Sequence, residues 1–169
     1  MTNSITSEAT DWKARLRAVL PLFGHRNWIV VADSAYPAQS NGGIETIVSG
    51  EDQLHAVRHV LDAICSASHI RANVYADQEL AFVPDIDAPG VEEYRRQLET
   101  ALDGARVEYI PHEQIIARLD ESAQVFRILI IKTDMTIPYT SVFFELDCEY
   151  WNAEAEHHLR EAMLVADLR

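Results

Sequence analysis

A histidine and an aspartate bracket one apolar run near the start of the chain. His25 precedes the run Trp28–Ala32, and Asp33 follows it directly. An imidazole titrates near neutral pH and can take or return a proton, while a carboxylate can orient that imidazole or bind a hydroxyl group. The pair therefore indicates proton-transfer chemistry on a small molecule. The alternative, that His25 and Asp33 only cap local turns, fits the residue types equally well.

A second histidine follows another strand-like run. His112 comes after Val107–Ile110 and opens a helical pattern, with Glu113 in the first turn, where a carboxylate suits the helix dipole. This makes His112 a candidate for a ligand pocket. A cap or a plain surface residue is the alternative for a lone histidine at this position.

A third polar group follows the apolar run that ends at Lys132. The stretch leads through Pro138 to Tyr139 and Ser141. A phenol directly after a turn fixed by proline can point into a cleft and bond a sugar hydroxyl. The alternative is that Tyr139 only packs against its neighbours.

The apolar patterns predict strands alternating with helices, which would position these groups. Predicted strands cover residues 27–33, 44–48, 73–76, 106–110, 126–132 and 141–146, and predicted helices fall near 12–20, 51–66, 91–102, 112–119 and 153–168. The run Trp28–Ala32 is uninterrupted, as in a strand covered on both faces. We therefore expect a layered α/β fold with a mainly parallel sheet, in which ligands bind at the carboxyl ends of the strands.

Length and charge limit the function. At 169 residues the chain is expected to form one domain, with a core over about 8–147 and a helical extension over about 148–169. It carries 27 acidic and 14 basic side chains, a formal net charge of -13. Because that field repels phosphate backbones, we expect no nucleic-acid partner.

The cysteines and the hydropathy pattern bear on location. Cys65 and Cys148 are isolated, which is typical of reduced thiols in the cytosol. The first residues contain no apolar segment of signal-peptide length, and no run approaches the roughly 18 apolar residues that span a bilayer. We therefore expect a soluble cytoplasmic protein without a membrane partner.

Metal and nucleotide chemistry have little support. His157 and Glu161, or Glu154 and His158, would share a helix face, but nothing distant completes a ligand set, so a solvated face is the better interpretation. The chain has no glycine-rich phosphate loop and no G-x-S-x-G nucleophile turn. We expect neither a metal nor a cofactor.

Three sequence blocks resemble the ribose pyranase and fucose mutarotase family, often labelled RbsD/FucU. GHRNWIVVADSAYPA is similar to the family's opening pattern GH-x-(D/N)-x-I-V-(V/I)-A-D-A-x-(F/L)-P. VEYIPHEQI and IIKTDMTIPYTSVFFEL resemble its second and closing blocks. Each block alone is weakly specific, but their order and spacing, each at a strand end, make the resemblance specific.

The resemblance implies a Rossmann-like α/β core and ring-shaped homo-oligomers, commonly decamers of two pentamers, with pockets near subunit interfaces. It implies an isomerase that interconverts the anomers or ring forms of free monosaccharides without cofactor or metal. By matched position, His25 and Asp33 would be the catalytic pair. The residues matched to substrate binding are His112, Lys132, Tyr139 and Ser141.

Two departures bear on the substrate. The closing block of the family usually reads Tyr-Ala-Asn, where this chain has Ser141, and ribose pyranases carry a lysine at the position of Ile116. The loss of both polar contacts favours, as an alternative, a sugar-binding or regulatory protein without turnover. A third hypothesis is a structural oligomer built through Trp151, Leu159 and Met163, although core packing explains these residues equally well.

Overall fold

The computed structural model describes residues 11–167 and is built around a six-stranded sheet. In chain order the elements are α1 (Trp12–Val19), β1 (Trp28–Ala32), β2 (Ile44–Val48), α2 (Gln53–Cys65), β3 (Ile70–Asp77), α3 (Val91–Ala101), β4 (Val107–Ile110), α4 (His112–Ala123), β5 (Ile128–Lys132), β6 (Val142–Cys148) and α5 (Ala153–Asp167). The predicted start of the core at residue 8 and the predicted end of the last helix at Leu168 lie outside the described residues.

The sheet has the strand order β2-β5-β1-β6-β3-β4. β1 pairs parallel with β5, β5 with β2, and β3 with β4, whereas β6 runs antiparallel between β1 and β3. The predicted α/β class with a mainly parallel sheet is therefore confirmed. Because β6 is reversed, its amino end lies at the same edge as the carboxyl ends of the other five strands.

The central strand is buried on both faces, as its composition predicts. All five residues of β1 are buried, and their side chains alternate between two apolar layers. Ile29 and Val31 pack with the apolar faces of α1, α2 and α3, whereas Trp28 and Val30 pack against α4. This double cover fixes the two ends of β1 and the loops that leave them.

β3 is longer than the sequence pattern predicts. It begins at Ile70 rather than at 73, and it runs to Asp77. Because Arg71 is polar, an apolar pattern does not indicate a strand at this position. In the structure Arg71 donates a hydrogen bond of 2.6 Å to Asp147 on the neighbouring β6. The contact with β6 therefore stabilises the start of β3, where the sequence of β3 alone does not predict a strand.

The last helix, α5, lies apart from the core. Trp151, Leu159 and Met163 are each more than two-fifths exposed, so the core-packing explanation for them is wrong. The indole of Trp151 donates to Glu156 on α5 itself, and the Asn152 side chain caps the start of this helix. Over residues 11–167, no helix combines the length and the apolar character needed to cross a membrane.

Candidate functional site

The carboxyl edge of the sheet holds a pocket of about 500 Å³, within the range of small-molecule sites. Its walls come from the loop after β1, the end of β3, the start of α4 and the loop before β6. Side chains with possible chemical roles there are Asp33, Tyr36, Asp77, His112, Ile116 and Tyr139. Three residues matched by separate sequence blocks, Asp33, His112 and Tyr139, therefore lie in one site.

His112 is held by two carboxylates. Its ring Nδ1 lies 2.9 Å from Oδ1 of Asp77, and its backbone N–H donates to both carboxylate oxygens of Glu79 at 3.1 and 3.0 Å. Burial raises the pKa of Asp77, and the hydrogen bond from His112 offsets only part of that effect. With Asp77 ionised, Nδ1 carries the proton, and Nε2 is left without a hydrogen-bond partner within residues 11–167.

Asp33 is positioned by the turn that follows β1. One of its oxygens accepts a hydrogen bond from the backbone N–H of Ala35 at 2.9 Å, and the other lies 3.4 Å from the hydroxyl of Ser141. The capping role left open by the sequence is thus present. Asp33 also lines the pocket, so the two roles coexist.

Tyr139 adopts a backbone conformation that is rare for its residue type. Its φ of 59° lies in the left-handed region, which costs a tyrosine roughly 1–2 kcal/mol. The ring meets that of His112 edge to face, with centroids 5.7 Å apart. Strain retained at a pocket wall is common where a side chain must face a ligand.

A buried glutamine supports the loop that carries Tyr139. Gln53 Nε2 donates to the backbone oxygens of Val31 and Thr140 at 3.1 and 2.8 Å, and Gln53 Oε1 accepts from Thr133 at 2.5 Å. The hydroxyl of Tyr94 donates to the same Thr140 oxygen at 2.8 Å. These bonds tie the closing loop to the ends of β1 and β5, which holds Tyr139 at the pocket.

Tyr36 forms part of the pocket wall but leaves its hydroxyl unpaired. The side chain is 5% exposed, and its hydroxyl finds no hydrogen-bond partner among the described residues. Burial, followed by the negative charges of Asp120, Asp77 and Asp33, raises the pKa of Tyr36 to about 12. The phenol therefore stays neutral across the physiological range.

His25 lies at the opposite edge of the sheet. It precedes the amino end of β1, and its Nδ1 is 2.8 Å from Oδ1 of Asp147 at the far end of β6. Partial burial opposes ionisation of Asp147, but hydrogen bonds from the Cys148 amide, Arg71 and His25 outweigh it and lower the pKa of that carboxyl. The structure thus separates His25 from Asp33 within one copy of the chain.

Lys132 and Ser141 flank the pocket rather than line it. Lys132 ends β5 in register with Ala32, and its backbone oxygen accepts hydrogen bonds from Ser49. Ser141 is buried behind Asp33. Both lie at the carboxyl edge, as the sequence predicts, and Ser141 reaches the pocket only through Asp33.

Sequence reasoning missed Asp77, Glu79 and Gln53. Asp77 ends a strand whose length was underestimated, and the rule that polar residues at carboxyl strand ends form sites would have selected it. Glu79 lies in a short 3-10 helix whose sequence indicates only an acidic loop, and Gln53 lies in a helix whose sequence indicates only an amphipathic pattern. Nothing in their spacing marks the contacts that they make.

The pocket is acidic. Carboxylates of Asp33, Asp77 and Glu113 line it, and His112 is the one lining residue that can carry a positive charge. In the described part of the chain, no cluster of three or more histidine, cysteine, aspartate or glutamate side chains has the geometry to hold a metal ion. The arrangement can therefore orient hydroxyl groups through carboxylates and exchange protons through an imidazole.

Comparison with known proteins adds a family and a fold. Residues 12–147 match the model of the RbsD / FucU transport protein family. The structure of Bacillus subtilis RbsD complexed with D-ribose is 18% identical, with 79% of this chain and 92% of that chain covered and a TM-score of 0.54. The fucose mutarotase from Streptococcus pneumoniae in complex with L-fucose is 18% identical, with 85% and 98% covered and a TM-score of 0.53. No curated protein matches the sequence.

Proposed function

Because the chain belongs to the RbsD/FucU family, we propose that it is a monosaccharide mutarotase or pyranase that needs no cofactor. One observation carries the proposal: Asp33, His112 and Tyr139, each from a different family-like block, meet in one pocket at the carboxyl edge of the sheet. That pocket offers carboxylate acceptors and an imidazole, which suit a neutral polyhydroxylated ligand. Two similar structures are complexes with D-ribose and with L-fucose.

The reaction needs a base and an acid at the anomeric centre. The base removes the proton of the anomeric hydroxyl, the bond from C1 to the ring oxygen breaks, and the acid protonates that oxygen. The open aldehyde then recloses on the other face or through another hydroxyl, and the protons return. Correctly placed acid and base groups contribute about 10²–10⁴-fold.

In this proposal His25 transfers protons, Asp33 orients the sugar, and His112 and Tyr139 hold hydroxyl groups. Ser141 supports Asp33 from behind, and the Lys132 backbone holds Ser49 beside the site. His25 and Asp33 lie at opposite ends of β1, and the five residues of that strand alone span about 16 Å. One sugar can meet both only if they come from different copies of the chain. We therefore include a homo-oligomer in the proposal, with pockets at the contacts between copies in the ring assembly expected from the family resemblance.

In the competing proposal the pocket binds a sugar but does not catalyse its interconversion. It rests on Ile116, whose apolar side chain lines the pocket where the ribose pyranases carry a lysine, and on Ser141, which replaces the closing asparagine. In that case the protein is a sugar-binding or regulatory member of the family. In either case we place it in the cytoplasm, where free monosaccharides arrive after uptake.

Saturation-difference proton NMR on D-ribose, L-fucose and related free sugars tests the proposal. An enzyme transfers saturation between anomers or ring forms faster than buffer alone does. Sugar signals that broaden without faster exchange would favour the binding protein. A panel that shows neither broadening nor exchange would exclude both sugar functions.

A further inference from the structure

We propose, on the basis of the proposed function, that Asp77 is a positioning residue that turns His112 into the second acid–base group of the pocket. In the first proposal His112 only holds a hydroxyl group. The Asp77–His112 pair gives that imidazole a fixed orientation and a fixed tautomer. The reaction requires two proton-transferring groups, and His25 supplies one of them.

The sheet register brings the pair together. Asp77, the last residue of β3, lies opposite Ile110 of β4, and two residues after Ile110 the chain turns into α4 at His112. The Asp77 side chain is 1% exposed, and its Oδ1 lies 2.9 Å from Nδ1 of His112. An aspartate enclosed in this way has one evident use, which is to accept the hydrogen bond from Nδ1–H of His112.

The backbone of His112 is held independently of its ring. Glu79 accepts the His112 backbone N–H with both oxygens, which fixes the first residue of α4. The ring hydrogen bond to Asp77 is therefore not needed to begin the helix. This separation lets a substitution at Asp77 change the imidazole while Glu79 keeps the helix start.

The groups around the imidazole are carboxylates and phenols. The groups that face the Asp77–His112 pair or border it in the pocket are Asp33, Tyr36, Glu79, Glu113 and Tyr139. None of them can carry a positive charge. When Nε2 takes a proton from the sugar, the Asp77 carboxylate is the nearest charge that stabilises the imidazolium.

The proton balance follows from this geometry. Nε2 of His112 removes the anomeric hydroxyl proton as the carbonyl bond forms at C1. The bond from C1 to the ring oxygen breaks, and the ring oxygen receives a proton from the opposing acid, His25 of another copy in the proposed assembly. On closure His25 takes back a proton from the hydroxyl that attacks C1, and His112 returns its proton to the new anomeric oxygen. Both histidines end as they began, so no oxidant or reductant takes part.

Asp77→Asn is the decisive variant. Asparagine keeps the shape and can still accept the Nδ1 hydrogen bond, but it removes the negative charge. We expect exchange to slow by about 10- to 100-fold, in line with the size of general acid–base effects. The pH at which the rate is half-maximal should move lower, because the variant lacks the carboxylate beside Nδ1 that stabilises the imidazolium formed in the reaction.

A matched control removes a carboxylate from another histidine. Glu51 lies 2.7 Å from Nδ1 of His55, outside the pocket. Glu51→Gln should leave the exchange rate and its pH profile at native values.

Because burial raises the pKa of Asp77, the ionised side chain destabilises the native fold. Asp77→Asn should therefore melt at the native temperature or above although its exchange rate falls.

Three outcomes decide between the proposals. Native exchange and an unchanged pH profile in Asp77→Asn would overturn the role of Asp77 and leave the proposed function intact. A slower rate whose half-maximal pH does not move would show a merely structural role and overturn it as well. A native protein that accelerates no sugar exchange would overturn the proposed function together with this inference.

Discussion

Nδ1 of His25 lies 2.8 Å from the carboxylate of Asp147, at the edge of the sheet opposite the pocket. This contact orients an imidazole whose side chain is 60% exposed. A histidine held by a carboxylate and turned to the surface is well placed to enter a pocket on a neighbouring molecule. The family-like opening block thus contributes to two different edges of the sheet.

Subunit mixing tests whether two copies form one pocket. We expect His25→Ala and His112→Ala each to lose exchange when purified alone. Co-expressed with different tags and assembled at random in equal amounts, they should recover about a quarter of the native rate, because head-to-tail contacts pair one intact His25 with one intact His112 in that share of pockets. Saturation-transfer NMR on the mixed oligomer measures the recovery.

The control for this experiment is a mixture of the two variants purified separately and kept below the temperature of subunit exchange. That mixture should stay inactive. If the co-expressed oligomer is as inactive as its parents, His25 and His112 do not serve the same pocket across a contact. Light scattering that finds a monomer would contradict the shared pocket directly.

Tyr36→Phe should stabilise the protein. A buried hydroxyl without a hydrogen-bond partner destabilises the native state by about 1–3 kcal/mol, and the substitution removes it. Phenylalanine is also a residue that the family's opening pattern allows at this position. Urea unfolding at pH 7 should show a gain of about 1 kcal/mol. A loss of stability would mean that the Tyr36 hydroxyl has a partner in solution.

The raised pKa of Tyr36 should make the stability of the protein depend on pH in the alkaline range. Tyr36 has a pKa of about 12 in the native state against 10.0 ordinarily, so between those values the unfolded chain releases the proton first. Below pH 10 the Tyr36 phenol does not change the free energy of unfolding with pH. As the pH rises from 10 toward 12, the free energy of unfolding falls by roughly 2–3 kcal/mol in total. Tyr36→Phe should lack this part of the alkaline slope when the two unfolding curves are compared.

The strands and the polar residues at their ends could be predicted because apolar runs are local features of the sequence. In parallel sheets, polar residues at the carboxyl ends of strands also tend to form the ligand site. Trp28–Ala32 shows its burial in its composition, and Asp33, His112 and Tyr139 each follow or precede a run that is visible in the sequence. The parallel sheet then places such ends at one edge. The convergence of these three residues needed no knowledge of distant contacts.

The remaining features depend on pairings between distant segments. Asp77 becomes a partner of His112 only through the register of β3 with β4, and Gln53 reaches Thr140 across 87 positions of the chain. His25 seemed to act with Asp33 because both flank one strand. A strand separates the residues at its two ends, so only an assembly of copies can reunite them.

A close contact of backbones gives a prediction on stability. A Cβ atom added at Gly43 would lie 2.5 Å from the carbonyl oxygen of Ala123, at the end of α4, whereas one added at Gly42 meets nothing within 4 Å. Since neither element can shift freely, Gly43→Ala should cost about 2 kcal/mol. Gly42→Ala is the matched control and should unfold at the native midpoint. Equal midpoints for both variants would contradict the close approach.

The last prediction concerns the substrate and uses Ile116. This side chain is half-buried in the pocket wall beside the carboxylates of Asp33, Asp77 and Glu113, and the ribose pyranases carry a lysine at the matched position. In Ile116→Lys the ammonium gains acidic neighbours and offers three donors to sugar hydroxyls. We expect D-ribose to bind about tenfold more tightly, the effect of one charge-assisted hydrogen bond. Ile116→Met lengthens the side chain without charge and should leave ribose affinity at the native value. Calorimetric titration of both variants decides the point, because equal affinities for Ile116→Lys and Ile116→Met would show that this wall does not contact the sugar.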